Sequence, residues 1–223
     1  RITKPFGALV KPGHARLIVV SGKSPEGMTY SLGGSEHKLG RGQVDLSVPE
    51  DPEVSPHHAT LSYQGNQLVI ADAGSANGIY LRARGPQALE PGDMFRVGDQ
   101  FFRFDTIQTS GDYALPDGTH SFTSPQRKGS FRILQILAGG LPGLSSTSSS
   151  DEVTIGCDGC TVTFTADARL SSKHAKIYKS GNGYMIEDLG STNGTYVRVK
   201  GSAHLAHGDF FFVGDELFRV EIS

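Results

Sequence analysis

Ser55 stands three residues before His58, and Ser171 stands three residues before His174. Each pair is preceded by a glycine with a functional neighbour, Gly40-Arg41 and Gly156-Cys157, and is followed by a polar loop, DAGSANG at 72–78 and DLGSTNG at 188–194. Two chemistries are suggested by residue type: a hydroxyl activated by an imidazole, and thiol chemistry at the C-x-x-C formed by Cys157 and Cys160. Neither develops. The eight histidines and the acidic residues assemble no nucleophile–base pair and no metal set at a recognisable spacing. A single C-x-x-C lacks the second pair of ligands of a closed zinc site. Its flanks, EVTIG and TVTFTA, read as strands, whereas a redox motif of this kind opens a helix. What is left is two incidental thiols in a reducing compartment, which points to the cytoplasm. No enzyme activity, no metal and no cofactor are expected.

Around these residues the chain repeats itself. Shifted by 116, residues 40–105 lie on 156–221 without a gap, and 25 of the 66 pairs are identical. Ser55 meets Ser171, His58 meets His174, Asn77-Gly78 meets Asn193-Gly194, and Val97-Gly98-Asp99 meets Val213-Gly214-Asp215. The opening segments RLIVVSG (16–22) and RILQILAG (132–139) match as well. A period this long is a domain rather than a solenoid turn.

Within each copy the elements are short and rich in β-branched and aromatic residues: HATLSY, QLVIAD, GIYLR, MFRV and FFRFD, then HAKIYK, YMIEDL, TYVRV, FFFV and LFRVEI. Turn signals such as GN and PGD separate them, and no helical period intervenes. Strands at this spacing predict an all-β protein of two consecutive antiparallel β-sandwiches. The expected boundaries are 14–105 for the first domain, 106–129 for a polar linker and 130–223 for the second. The linker contains HSFTSPQ, whose Thr123 and Ser124 read as accessible to a kinase.

Bulk composition narrows the partners. With 21 basic and 23 acidic residues the net charge is −2, which is no footprint for nucleic acid. No apolar run is long enough to span a bilayer and no signal peptide is visible. Beginning at Arg1, the sequence reads as a fragment of a longer chain.

Taken in order and twice over, these motifs resemble the forkhead-associated (FHA) family, whose pattern runs Gly-Arg, Ser-x-x-His and Asp-x-x-Ser-Thr-Asn-Gly-Thr. The resemblance covers both copies, and both depart from the pattern. It implies a β-sandwich of about eleven strands that binds phosphothreonine peptides through the loops at one end. It also implies a threonine-phosphorylated protein or peptide as partner, in a bacterial-type Ser/Thr kinase pathway. Matched to the pattern, Arg41 would pair with phosphate, Ser55 would donate its hydroxyl, and Asn77 would hold the peptide main chain. Gly40 and His58 would be structural. In the second copy Ser171, Ser172 and Thr192 would supply hydroxyls, with Lys173 nearby, Asn193 on the peptide and Gly156 and His174 structural. Cys157 stands where the arginine belongs, and Ala76 stands where the first copy's threonine belongs. An arginine fork matches phosphate in a way a lysine point charge does not, so the first copy is expected to bind phosphate better. The alternative is a phosphate-independent interaction scaffold of the same fold.

Overall fold

The computed structural model describes residues 15–107, 115–120, 129–147 and 150–222. Thr123 and Ser124 lie outside the described residues. The first strands are β1 (Ala15–Ser21), β2 (Thr29–Leu32), β3 (Glu36–Gly40), β4 (Leu46–Ser47), β5 (Ala59–Gln64), β6 (Gln67–Asp72) and β7 (Ile79–Arg82). They are followed by β8 (Gln87–Leu89), β9 (Met94–Val97), β10 (Gln100–Thr106), β11 (Phe131–Ile136), β12 (Pro142–Thr147), β13 (Glu152–Gly156) and β14 (Val162–Thr163). The chain ends with β15 (Ala175–Ser180), β16 (Gly183–Asp188), β17 (Thr195–Arg198), β18 (Ser202–Leu205), β19 (Phe210–Val213) and β20 (Glu216–Ile222). Every strand expected from the apolar patterning forms. TVTFTA forms a strand only at Val162–Thr163, because the chain turns after Thr163. The two-residue β4 and the polar β8 and β18 carry too little pattern to be read from sequence.

Alternation builds the cores. In β1, Ala15, Leu17 and Val19 point inward while Arg16 faces solvent. In β20, Glu216, Phe218 and Val220 point inward. In β11, Phe131 and Ile133 do the same. Each large apolar side chain among these contributes about 1.5–3 kcal/mol on full burial, whereas the Glu216 carboxylate needs hydrogen-bond donors to be buried at all.

The compact units do not coincide with the sequence repeats. Unit 1 comprises 1–82 and 198–223, and unit 2 comprises 83–197. Unit 1 packs a layer ordered β7-β19-β20-β1-β2 on a layer ordered β18-β6-β5-β3-β4. Unit 2 packs β12-β11-β10-β9-β17 on β14-β13-β15-β16-β8. Each unit therefore has ten strands among the described residues. The third strand trio of each repeat, β8–β10 or β18–β20, completes the other repeat's sandwich. β20 pairs with β1, Leu17 opposite Val220, and β10 pairs with β11, Phe104 opposite Ile133.

The contiguous boundaries 14–105 and 130–223 thus describe the repeats but not the units. The segment expected to be a tether, 106–129, leaves β10 and returns to β11 in the same unit, and the Ile107 amide donates to the Ser130 carbonyl at 2.9 Å. The chain passes between units after Arg82 and after Val197. Sequence could not have located these crossings, because the exchanged trios are near-copies and either closure satisfies the same pattern; exchange of equivalent elements costs little for that reason.

Candidate functional site

In unit 1 the turn after β3 is laid against the loop that precedes β5. The amides of Arg41 and Gly42 donate to the carbonyls of Ser55 and Pro56, both at 3.0 Å. Gly40 is obligatory at this approach, since a Cβ there would sit 2.3 Å from the Pro56 carbonyl oxygen. The Arg41 side chain is exposed at this end of the sandwich and its Nε donates to the Val54 carbonyl at 3.2 Å. That bond fixes the base of the guanidinium.

Behind the loop lies His58, fully buried. The Ser55 amide donates to His58 Nδ1 at 3.1 Å, so Nδ1 is unprotonated and Nε2 carries the hydrogen that the Gly78 carbonyl accepts at 3.0 Å. One neutral imidazole therefore ties the serine loop to the Asn-Gly loop. Burial pushes its pKa below the ordinary histidine value, outweighing the Gly78 hydrogen bond that favours the charged form.

The Asn-Gly loop is organised by its first residue. Asp72 Oδ1 accepts from the Ser75 amide at 2.8 Å, and Ser75 Oγ accepts from the Gly78 amide at 2.9 Å. Gly78 has φ +80°. With the loop so folded, the Ala76 amide donates to Ser55 Oγ at 3.1 Å, and Asn77 Nδ2 donates to the Glu53 carbonyl at 2.8 Å. Arg41, Ser55 and Asn77 are thereby brought to the ends of adjoining loops.

Unit 2 reproduces the frame. Cys157 and Asp158 donate their amides to the Ser171 and Ser172 carbonyls at 3.1 and 3.3 Å. A Cβ on Gly156 would fall 2.0 Å from the Ser172 carbonyl oxygen. His174 is fully buried, accepts from the Ser171 amide at 3.2 Å and bonds the Gly194 carbonyl at 3.0 Å. The Thr192 amide reaches Ser171 Oγ at 3.2 Å, and Asn193 Nδ2 donates to the Arg169 carbonyl at 2.8 Å. Ser172, Lys173, Thr192 and Asn193 are exposed. Asp188 is held more firmly than Asp72. Burial would raise its pKa, but hydrogen bonds from Ser191 Oγ and Thr195 Oγ1, each 2.7 Å, keep the carboxyl below its usual range.

Arg41, Ser55, Asn77, Gly40 and His58 sit in the first of these loop clusters, and Ser171, Ser172, Lys173, Thr192, Asn193, Gly156 and His174 in the second. Four contributions were not foreseen. Ala76 contributes through its amide, which no side-chain pattern reports. Glu53 and Arg169 occupy corresponding positions and present the carbonyls that the asparagines grip. Arg198, from the second repeat, packs within unit 1 against Gly78, whose Cβ would lie 2.2 Å from the Arg198 Nε.

The FHA domain model matches residues 37–98 and 153–214, more than half of the chain. The chain belongs to the FHA family. Among curated proteins, FHA domain-containing protein FhaB of Mycobacterium tuberculosis is 41% identical over 73 residues, which is 32% of this chain and 46% of that protein. FhaB of Mycolicibacterium smegmatis is 40% identical over the same length. The chain thus spans about half the length of these relatives. Among solved structures, Mycobacterium tuberculosis EmbR in complex with a low-affinity phosphopeptide aligns with TM-score 0.40 and 14% identity, over 95% of this chain and 25% of that one. A structure from an analysis of phosphothreonine-dependent FHA domain interactions aligns with TM-score 0.38 and 13% identity, over 94% and 97%. No helix among the described residues is long and apolar enough to cross a membrane.

Proposed function

We propose that the protein is a phosphothreonine-peptide adaptor with two recognition sites, of which the unit 1 site is the stronger. The observation that carries this reading is the position of Arg41. Its stem is fixed on the Val54 carbonyl, and its guanidinium projects from the same loop end as the Ser55 hydroxyl and the Asn77 amide. A phosphate dianion offers three strong acceptors, and a guanidinium with a nearby hydroxyl is a matching donor set. Asn77, already donating to the Glu53 carbonyl, has its amide oxygen and second N–H left to satisfy the main chain of an extended peptide. His58 and Gly40 position the loops and touch no ligand.

The partner is a threonine-phosphorylated protein of a Ser/Thr kinase pathway, met in the cytoplasm. The assignment is supported by the family. The protein binds and does not catalyse. For unit 2 a phosphate-independent docking role is favoured by one observation: Cys157 occupies the arginine position, leaving Ser171, Ser172, Thr192 and Lys173 without a bidentate partner for phosphate. Titration of the full chain with paired phosphorylated and unphosphorylated threonine peptides tests the reading. Discrimination between the pair is expected, and equal binding of both peptides would leave only the scaffold role.

A further inference from the structure

Either repeat could in principle close on its own third strand trio, because the opposed charges are equivalent. Arg16 meets Glu221 in unit 1 and Arg132 meets Asp105 in unit 2. Two other features are not equivalent. In unit 2 Phe104 lies 5.6 Å from Phe131 and 5.1 Å from Tyr184, and those two rings are 5.3 Å apart. The corresponding positions in unit 1 are Val220, Ala15 and Leu68, all in its core. Closing each repeat on itself would set Phe104 against Ala15 and Leu68 and give Phe131 and Tyr184 only a valine. Two of the three ring contacts would be lost, with crowding in one core and a cavity in the other.

The second feature is polar. Glu216 is fully buried, and its Oε1 accepts from the amides of Lys23 and Ser24, each at 2.8 Å. At the corresponding position, Gln100 donates to Asp167 Oδ2 at 2.8 Å and accepts from Gln135 at 2.8 Å. Self-closure would take the buried Glu216 carboxylate away from the Lys23 and Ser24 amides and Gln100 away from Gln135, leaving these acceptors without their donors.

We propose that each strand trio has the other repeat as its specific binding partner. The two units then form together, and the segment 107–130 is not what joins them. Proteolysis or modification in that segment would leave a two-unit protein intact. This inference does not rest on phosphothreonine binding, and its test does not use it.

Ala71 and Ser202 are directly opposed on β6 and β18, a separation that suits a disulfide. In a self-closed repeat, residue 71 would oppose Pro86 instead. The full chain is prepared with a protease site inserted between Pro116 and Asp117, which are exposed. One version carries Ala71→Cys with Ser202→Cys, and the other carries Ala71→Cys with Pro86→Cys. The expected result is a 71–202 bond by mass spectrometry, none between 71 and 86, and cleaved fragments that co-elute at the mass of the intact chain after reduction. A 71–86 bond with fragments that separate would overturn the proposal. So would a 71–202 bond found only in a species of twice the mass. Exchanging the discriminating residues, Phe104→Val with Val220→Phe, should lower the yield of the 71–202 bond. An unchanged yield would remove the aromatic cluster as its cause.

Discussion

In unit 1 the amide that meets the serine carbonyl belongs to an arginine, and in unit 2 it belongs to a cysteine. The backbone does not register the change. The two amides donate to Ser55 and Ser171 at 3.0 and 3.1 Å, the two histidines reach Gly78 and Gly194 both at 3.0 Å, and the two asparagines donate to residues 53 and 169 both at 2.8 Å. Two glycines, a buried imidazole and an aspartate-capped loop thus maintain the frame, while the residues displayed on it vary. The reciprocal difference sits across the loops: unit 2 has the Thr192 hydroxyl where unit 1 has Ala76. Loss of a charged donor outweighs loss of a neutral one, since hydrogen bonds to charged groups contribute about 1.5–3 kcal/mol against roughly 1 for neutral ones.

The largest effect expected from this comparison is at Arg41. Arg41→Ala should weaken phosphopeptide binding by about 2 kcal/mol or more, roughly thirtyfold, and leave the melting temperature nearly unchanged because the side chain is exposed. Calorimetry with the paired peptides reads the first and thermal denaturation the second. A variant that still discriminates phosphorylated from unphosphorylated threonine as wild type does would remove Arg41 from the site.

The converse substitution is Cys157→Arg. Because the frame of unit 2 is already in place, it should strengthen phosphopeptide binding there by roughly tenfold or more. Measured in an Arg41→Ala background, the gain is free of the unit 1 signal. No gain would mean that Ser171, Ser172 and Thr192 are not arranged around a phosphate.

The frame itself was legible in the sequence, for a physical reason. Gly40, His58, Asp72 and Gly78 each satisfy a requirement that only one or two residue types can meet, so their types and spacing report the geometry directly. Strand existence was legible where residues alternate, as in β1 and β20, and illegible where a strand is two residues long, as in β4. The exchange of trios was illegible because Phe95 and Phe211, or Phe102 and Phe218, are the same residue in the same pattern. The contribution of Ala76 was illegible because it is made by an amide. The place of Arg198 beside Gly78 was illegible because it depends on the exchange of trios.

His58 supplies a pH prediction. Its folded-state pKa is depressed by burial, so the native protein holds the imidazole neutral while the unfolded chain takes up a proton below about pH 6.5. The stabilisation is fully present above that value and is lost as pH falls toward the folded pKa. Denaturant midpoints should therefore decrease between neutral and mildly acidic pH, with the loops that His58 joins opening first. An imidazole that NMR shows to be protonated in the native state at the pH where the denatured chain is half-charged would contradict the assignment.

The smallest effect concerns residues 53 and 169, glutamate in one unit and arginine in the other. Their carbonyls are held by Asn77 and Asn193, so their side chains begin beside the residues assigned to the peptide main chain. Both are exposed. Arg169 is also engaged by Asp99 at 2.9 Å, across side chains about half exposed, which partly neutralises it. A peptide lying over these loops would meet opposite charges in the two units. Unit 1 should favour basic residues flanking the phosphothreonine, and unit 2 should favour acidic ones. Exposed pairs contribute at most about 1 kcal/mol, so the preference should be no more than about fivefold. Glu53→Arg should reverse it in unit 1, and the reversal should fade at high ionic strength while the Arg41-dependent affinity persists in part. Affinities for phosphopeptides that differ only in lysine or aspartate flanks, measured at low and high salt, decide the matter. A flank preference that Glu53→Arg leaves untouched would show that the peptide does not pass residue 53.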